Sequence, residues 1–111
     1  MKVAVCVLTY RRPDGLTRLV HGLAALTFAS DAPDVRLVVV DNDPNAGARE
    51  LCARLGEKAR WPLVYAHEPR PGIAHARNTA LDRVQDADFI AFIDDDEVPS
   101  PEWLDALLQT R

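Results

Sequence analysis

Several large protein classes need features that this chain does not have. No apolar stretch among its 111 residues approaches the roughly 18 needed to span a bilayer. The apolar run after Lys2 stops at Leu8, too short for the pattern of a secretory leader. Cysteine is scarce: Cys6 lies in an apolar run and Cys52 in a helical pattern, which suits buried, reduced thiols of a cytoplasmic protein. Two cysteines so far apart do not make a zinc site. Basic residues hold no excess, 13 Lys+Arg against 17 Asp+Glu for a net charge of -4, so no nucleic-acid partner is expected. No G-x-G-x-x-G follows the first apolar run, which excludes a dinucleotide-binding dehydrogenase. Repeats, low-complexity segments and linkers are absent as well, and the length allows one domain.

What the chain has is alternation. Val3 to Leu8, Val35 to Val40, Leu63 to Ala66 and Phe89 to Ile93 are short, continuous apolar runs, the pattern of strands covered on both faces. Between them, apolar residues recur at helical spacing. Pro13 starts a first helix carrying Leu16, Leu19, Val20, Leu23 and Leu26. Ala48, Leu51, Cys52 and Leu55 mark a second, ending near Gly56. Arg70-Pro71-Gly72 turns into a third, with Ile73, Ala76, Ala80, Leu81 and Val84 along one side. Ser100-Pro101-Glu102 predicts a capped start for a fourth, whose apolar face holds Trp103, Leu104, Leu107 and Leu108. The order βαβαβαβα implies a parallel sheet with right-handed crossovers, a Rossmann-like α/β fold.

Parallel strands place their carboxyl ends on one edge, where ligands of such sheets bind. Those ends here are Thr9-Tyr10-Arg11-Arg12, Asp41-Asn42-Asp43, His67-Glu68-Pro69-Arg70 and Asp94-Asp95-Asp96-Glu97, all polar after apolar strands. Consecutive acids repel, and a divalent cation relieves that repulsion. Mg²⁺ and Mn²⁺ favour carboxylate oxygens and commonly share them with a substrate's phosphates. Arg77 lies one turn past Gly72, where a helix start and a guanidinium both attract phosphate oxygens. The plain alternatives are a solvated acidic loop, surface arginines and an Asp41 that only caps a turn. His21, His67 and His75 have no evident Ser or Cys partner, so a nucleophilic triad is not expected. Trp61 and Trp103 read as core packing.

Together, VLTYRRPDGL, VVVDNDPN, RPGIAHARN and FIDDDEVPSPEWL resemble, in order, the motifs of the N-terminal half of an inverting family 2 glycosyltransferase of the GT-A fold. The resemblance implies a donor-binding half spanning residues 1–111, its sheet incomplete at the C-terminus. It implies that Thr9, Tyr10, Arg11, Asp41, Arg77, Asp94 and Asp95 meet a UDP, GDP or dTDP sugar, with Asp41 toward the base and Asp94 toward the ribose. Asp96, with Asp94, would hold Mg²⁺ or Mn²⁺ on the diphosphate. The acceptor would be a glycan, a lipid or a small molecule. The catalytic base is expected beyond Arg111, so this chain alone should bind donor and transfer little.

Two departures from the family pattern stand out: Asn42-Asp43-Pro44 after the second strand, and Arg70 where an Asn is usual two positions before Gly72. A cytoplasmic location, extending to the inner face of the membrane, and self-association through an exposed sheet edge complete the expectations. The competing class is a non-catalytic binding or assembly module that keeps the fold. A receiver-like phosphoacceptor domain fits poorly, because its acid pair belongs where Thr9-Tyr10-Arg11 stands.

Overall fold

The computed structural model describes residues 1–110. Its elements are β1 (Lys2–Thr9), α1 (Pro13–Ala24), β2 (Asp34–Asp41), α2 (Arg49–Glu57), β3 (Leu63–His67), α3 (Ile73–Asp82), β4 (Phe89–Asp94) and α4 (Trp103–Gln109). The four strands form one parallel sheet in the order β3-β2-β1-β4. Strand order therefore reverses between β1 and β4, and the carboxyl ends of those two strands carry Thr9 and Asp94.

Side chains alternate across a strand, and both faces of this sheet are covered. Val3, Val5, Val7, Val35, Leu37, Val39, Ala91 and Ile93 pack with Leu16, Leu19, Leu23, Cys52 and Leu104, so α1, α2 and α4 cover one face. Ala4, Cys6, Val38 and Val40 pack with Ala76, Ala80 and Val84, so α3 covers the other. Both cysteines are buried and free, as the sequence predicted. Burial pushes the Cys6 thiol up to about 11 and, with help from the Asp41 carboxylate, the Cys52 thiol up to about 12, which leaves both inert.

Trp61 is half-buried, donating its indole N–H to the Leu23 carbonyl at 2.9 Å, and Trp103 packs at the core's rim. Two local expectations fail. Ser100 does not cap α4: the helix begins at Trp103 after Glu102, with no side-chain cap. Thr27 explains the delay, since its N–H and hydroxyl both bind the Pro101 carbonyl and hold that residue in a turn. Ile73 and Leu81 are not core residues of α3, being 71% and 41% exposed. The helix approaches the sheet through the small side chains of Ala76 and Ala80, which leaves its flanks outside. Among the described residues, β3 and β4 are the sheet's edges, and no helix is long and apolar enough to cross a membrane.

Candidate nucleotide-sugar site

The carboxyl edge of the sheet carries an open cleft of about 530 Å³, lined on one flank by Thr9, Tyr10 and Arg12, on the other by Ile73 and Arg77, and by Asn42 and Asp94 to Asp96. It stands above Leu8 and Ala76, on the side of the sheet covered by α3. A smaller cleft of about 300 Å³ at the opposite edge is lined by Lys2, Asp34, Arg36 and Asp86, of which Lys2 and Arg36 both pair with Asp86.

The acidic loop divides by strand alternation. Asp95 keeps the phase of Ala91 and Ile93 and turns inward. It is 8% exposed, and its Oδ2 accepts from the Thr9 hydroxyl at 3.0 Å and the Tyr10 N–H at 3.2 Å. The Arg12 guanidinium adds a 3.7 Å ion pair. Asp95 thus ties β1 to the loop after β4. Asp94, Asp96 and Glu97 are exposed, and one ligand oxygen from each lies within 4.8 Å of the others. Three hard carboxylate oxygens at that spacing, open to water for the remaining positions, fit a Mg²⁺ or Mn²⁺ ion. Glu97 joins this group, although the sequence pattern points only to Asp94 and Asp96. A turn brings it back, its N–H donating to the Asp94 carbonyl at 3.1 Å and its Oε1 accepting from the Asp94 N–H at 3.2 Å.

Helix α1 holds that loop in place. A Cβ at Gly15 would collide with the main-chain carbonyl oxygen of Asp95. One at Gly22 would come within 3.1 Å of Val98 and Pro99. Two glycines seven residues apart therefore let the loop's backbone lie directly against the helix.

Asp41 and Asn42 part company. Asp41 follows the phase of Val39 and is 0% exposed. Its carboxylate accepts from the Asp43 N–H at 3.0 Å, the Ala48 N–H at 2.9 Å and the Tyr65 hydroxyl at 2.7 Å. Burial and this bond raise the Tyr65 phenol's pKa. Asp41 presents no surface to a ligand and serves as the knot of the loop after β2. Asn42, on the other phase, lines the cleft. Its amide donates to the carbonyls of Glu68 and Arg70, both at 2.8 Å, so the amide is locked. Its Oδ1 is the atom left to accept from a ligand.

The loop before α3 is braced similarly. Glu68, 4% exposed, accepts from Arg70 Nη2 at 2.6 Å, from the Arg70 N–H at 2.9 Å and from the Thr79 hydroxyl at 2.9 Å. The Arg70 guanidinium, with the other two donors, holds the Glu68 carboxyl down at about 2. Arg70 is thereby spent within the protein. Arg77 stands over the Phe92 ring, 4.7 Å from its centre, at the cleft wall. Arg11 does not line the cleft; Arg12 does. Arg11 turns away through a positive φ of 53° and pairs with Asp43 at 3.3 Å. Of the residues expected in the site, then, Thr9, Tyr10, Arg77, Asp94, Asp95 and Asp96 come together, while Asp41 and Arg11 stand behind them.

The profile of "Glycosyl transferase family 2" matches residues 4–110. The chain belongs to that family. The succinoglycan biosynthesis protein ExoM of Rhizobium meliloti (strain 1021) is 39% identical over 110 residues, covering 99% of this chain and 35% of that protein. A mannosyltransferase from Pyrobaculum calidifontis, PcManGT, solved in complex with GDP-Man and Mn²⁺, superposes with a TM-score of 0.82 at 26% identity, over 96% of this chain and 31% of that one. S. aureus TarS residues 1–349, solved with UDP-GlcNAc, superposes at 0.69 with 26% identity, over 98% of this chain and 30% of that one. The family 2 chain described here thus spans about a third of the length of the relatives it matches. Its parallel sheet with alternating helices is the GT-A arrangement of those glycosyltransferases. The catalytic base expected beyond Arg111 lies outside the described residues.

Proposed function

We propose that this family 2 chain is the donor-binding half of a metal-dependent, inverting glycosyltransferase. It holds a nucleoside-diphosphate sugar across the cleft between β1, β4 and α3. The observation that carries the reading is that Asp94 and Asp96, two of an exposed three-carboxylate group, meet the polar ends of β1 and β2 in one cleft. The complex of the related mannosyltransferase with GDP-Man and Mn²⁺ supports it.

In this reading Tyr10 and Asn42 receive the nucleoside, Asp94 faces the ribose, and Arg77 faces the diphosphate and donor sugar. Asp94, Asp96 and Glu97 hold Mg²⁺ or Mn²⁺, which supplies charge neutralisation for a departing nucleoside diphosphate. Asp95 and Asp41 act from behind, fixing the loops that present these groups. In the whole protein the acceptor hydroxyl attacks the anomeric carbon as the nucleotide leaves from the opposite face, and its proton passes to a base. We place the chain in the cytoplasm, in keeping with its two free, buried thiols.

The test is calorimetric titration of UDP, GDP and dTDP into the purified protein, with and without Mn²⁺. Saturable binding of at least one that weakens sharply without metal is expected. Asp96→Ala should remove the metal dependence and leave circular dichroism unchanged. Metal-independent binding, or a variant that binds like the parent, overturns the cation assignment.

A further inference from the structure

Tyr10 is a large side chain left 51% exposed at the mouth of the cleft. One partner of its ring is visible: the Arg11 guanidinium carbon lies 5.0 Å from the ring centre. That guanidinium is not loose. Its Nη2 donates to Asp43 Oδ1 at 3.3 Å. Asp43 is 6% exposed, and the same Oδ1 accepts from the Asn45 N–H at 3.0 Å, which helps hold its carboxyl below the usual carboxylate range. The chain Tyr10–Arg11–Asp43 thus links the loop after β1 to the loop after β2, with Tyr10 in the cleft wall and the other two outside it.

The backbone points the same way. Arg11 has φ 53°, a left-handed conformation that costs a non-glycine residue free energy and persists where neighbours hold it. In this conformation Arg12 lines the cleft, while Arg11 pairs with its neighbour's ring and with Asp43. The Arg11 guanidinium stands outside the lining of the cleft, away from where a diphosphate would lie. A ring held by a cation is a better wall for stacking a base, because fewer rotamers are lost when the ligand arrives.

We infer that Arg11 is a positioning residue: it fixes the Tyr10 ring as the stacking wall for the donor's nucleobase and makes no contact with the phosphates. This rests on the donor-binding reading above.

The experiment compares two probes, the nucleoside diphosphate that binds the parent and inorganic diphosphate, each with the divalent cation that supports binding. They are titrated into the parent, Arg11→Gly, Tyr10→Ala and the double variant. Glycine suits the positive φ, so the substitution removes the side chain without adding strain. Arg11→Gly should weaken the nucleotide about 3- to 10-fold and leave inorganic diphosphate within about twofold. In the Tyr10→Ala background the same change should add less than about twofold, since the effect passes through the ring.

Equal losses for both probes would make Arg11 a phosphate ligand, and no loss for either would leave it without a role; each overturns the inference while the donor reading stands. A parent that binds no nucleotide would overturn both. Should Arg11→Gly fail to fold, Arg11→Asn, which tolerates the same positive φ and carries no guanidinium, is read by the same outcomes.

Discussion

Gly15→Ala is the sharpest test of how the acidic loop is held. The substitution adds one methyl carbon to the first turn of α1. That carbon would lie inside the 3.0 Å approach that real Cβ atoms essentially never breach, against the Asp95 carbonyl oxygen. Neither partner yields easily. Asp95 is tied to Thr9 and Tyr10, and a slide of the helix is resisted at Gly22, where Val98 and Pro99 are already close. Overpacking of this kind costs about 1–3 kcal/mol, while replacing a helical glycine by alanine returns about 1 kcal/mol.

The net loss is then about 0–2 kcal/mol, or a fall in Tm of up to about 8 °C for a domain of this size. The effect on binding should be disproportionate. A shift of roughly half an ångström in the loop carrying Asp94 and Asp96 should weaken metal-dependent nucleotide binding about tenfold, given that 1 Å errors of placement cost about a hundredfold. Gly56→Ala is the control. It sits in α2 with only an ordinary 3.8 Å contact to Leu63, and should raise stability by about 0.5–1 kcal/mol without touching binding. Thermal melts and nucleotide titrations with Mn²⁺ read both. A Gly15→Ala protein that melts above the parent and binds equally well would show that the loop is not seated on the helix as described.

Three further outcomes are expected. The Glu68 carboxyl is held at about 2, below its ordinary 4.5, so its contribution to stability is fully present above that ordinary value and is lost as pH falls toward 2. Glu68→Gln should flatten the acid limb of a stability–pH profile in that window, and an unchanged limb would refute the assignment. Tyr65→Phe removes the hydroxyl donor to buried Asp41 and should cost about 1.5–3 kcal/mol in urea unfolding while leaving the fold in place. Gly72 has φ 115°, so Gly72→Ala should strain the loop before α3 and lower Tm, unlike Gly56→Ala; equal shifts for the two would count against that backbone.

Most of the architecture was legible because its cause is local. Continuous Val-rich runs bounded by polar clusters read as covered strands, and each observed strand falls within about a residue or two of its expected bounds. The failures share a different cause: contacts between segments far apart in sequence. Thr27 and Pro101 are 74 residues apart, and no local rule at Ser100 foresees their bond. Ile73 and Leu81 fit a helical stripe, but the stripe that meets the sheet is set by how closely alanines let α3 approach. Arg11 and Arg12 cannot be told apart without the left-handed turn between them and the cleft.

The division within the acidic and Asp-Asn segments, by contrast, was available from sequence through the period of two. Continuing the alternation past β2 puts Asp41 with Val39 on the face of α1 and α2, and Asn42 with Val40 on the face of α3. Continuing it past β4 puts Asp95 with Ile93, and Asp94 and Asp96 with Phe92. The same parity that sorts valines between two cores thus sorts the polar residues above them into two tasks. Those over the larger core, Thr9, Asp41 and Asp95, are buried and tie loops together. Asn42, Asp94 and Asp96, on the side of α3, border the cleft. A site on this sheet therefore has one side that holds and one side that presents. A carboxylate at a strand's end is assigned to one or the other by counting back to the last buried residue, before any resemblance is consulted.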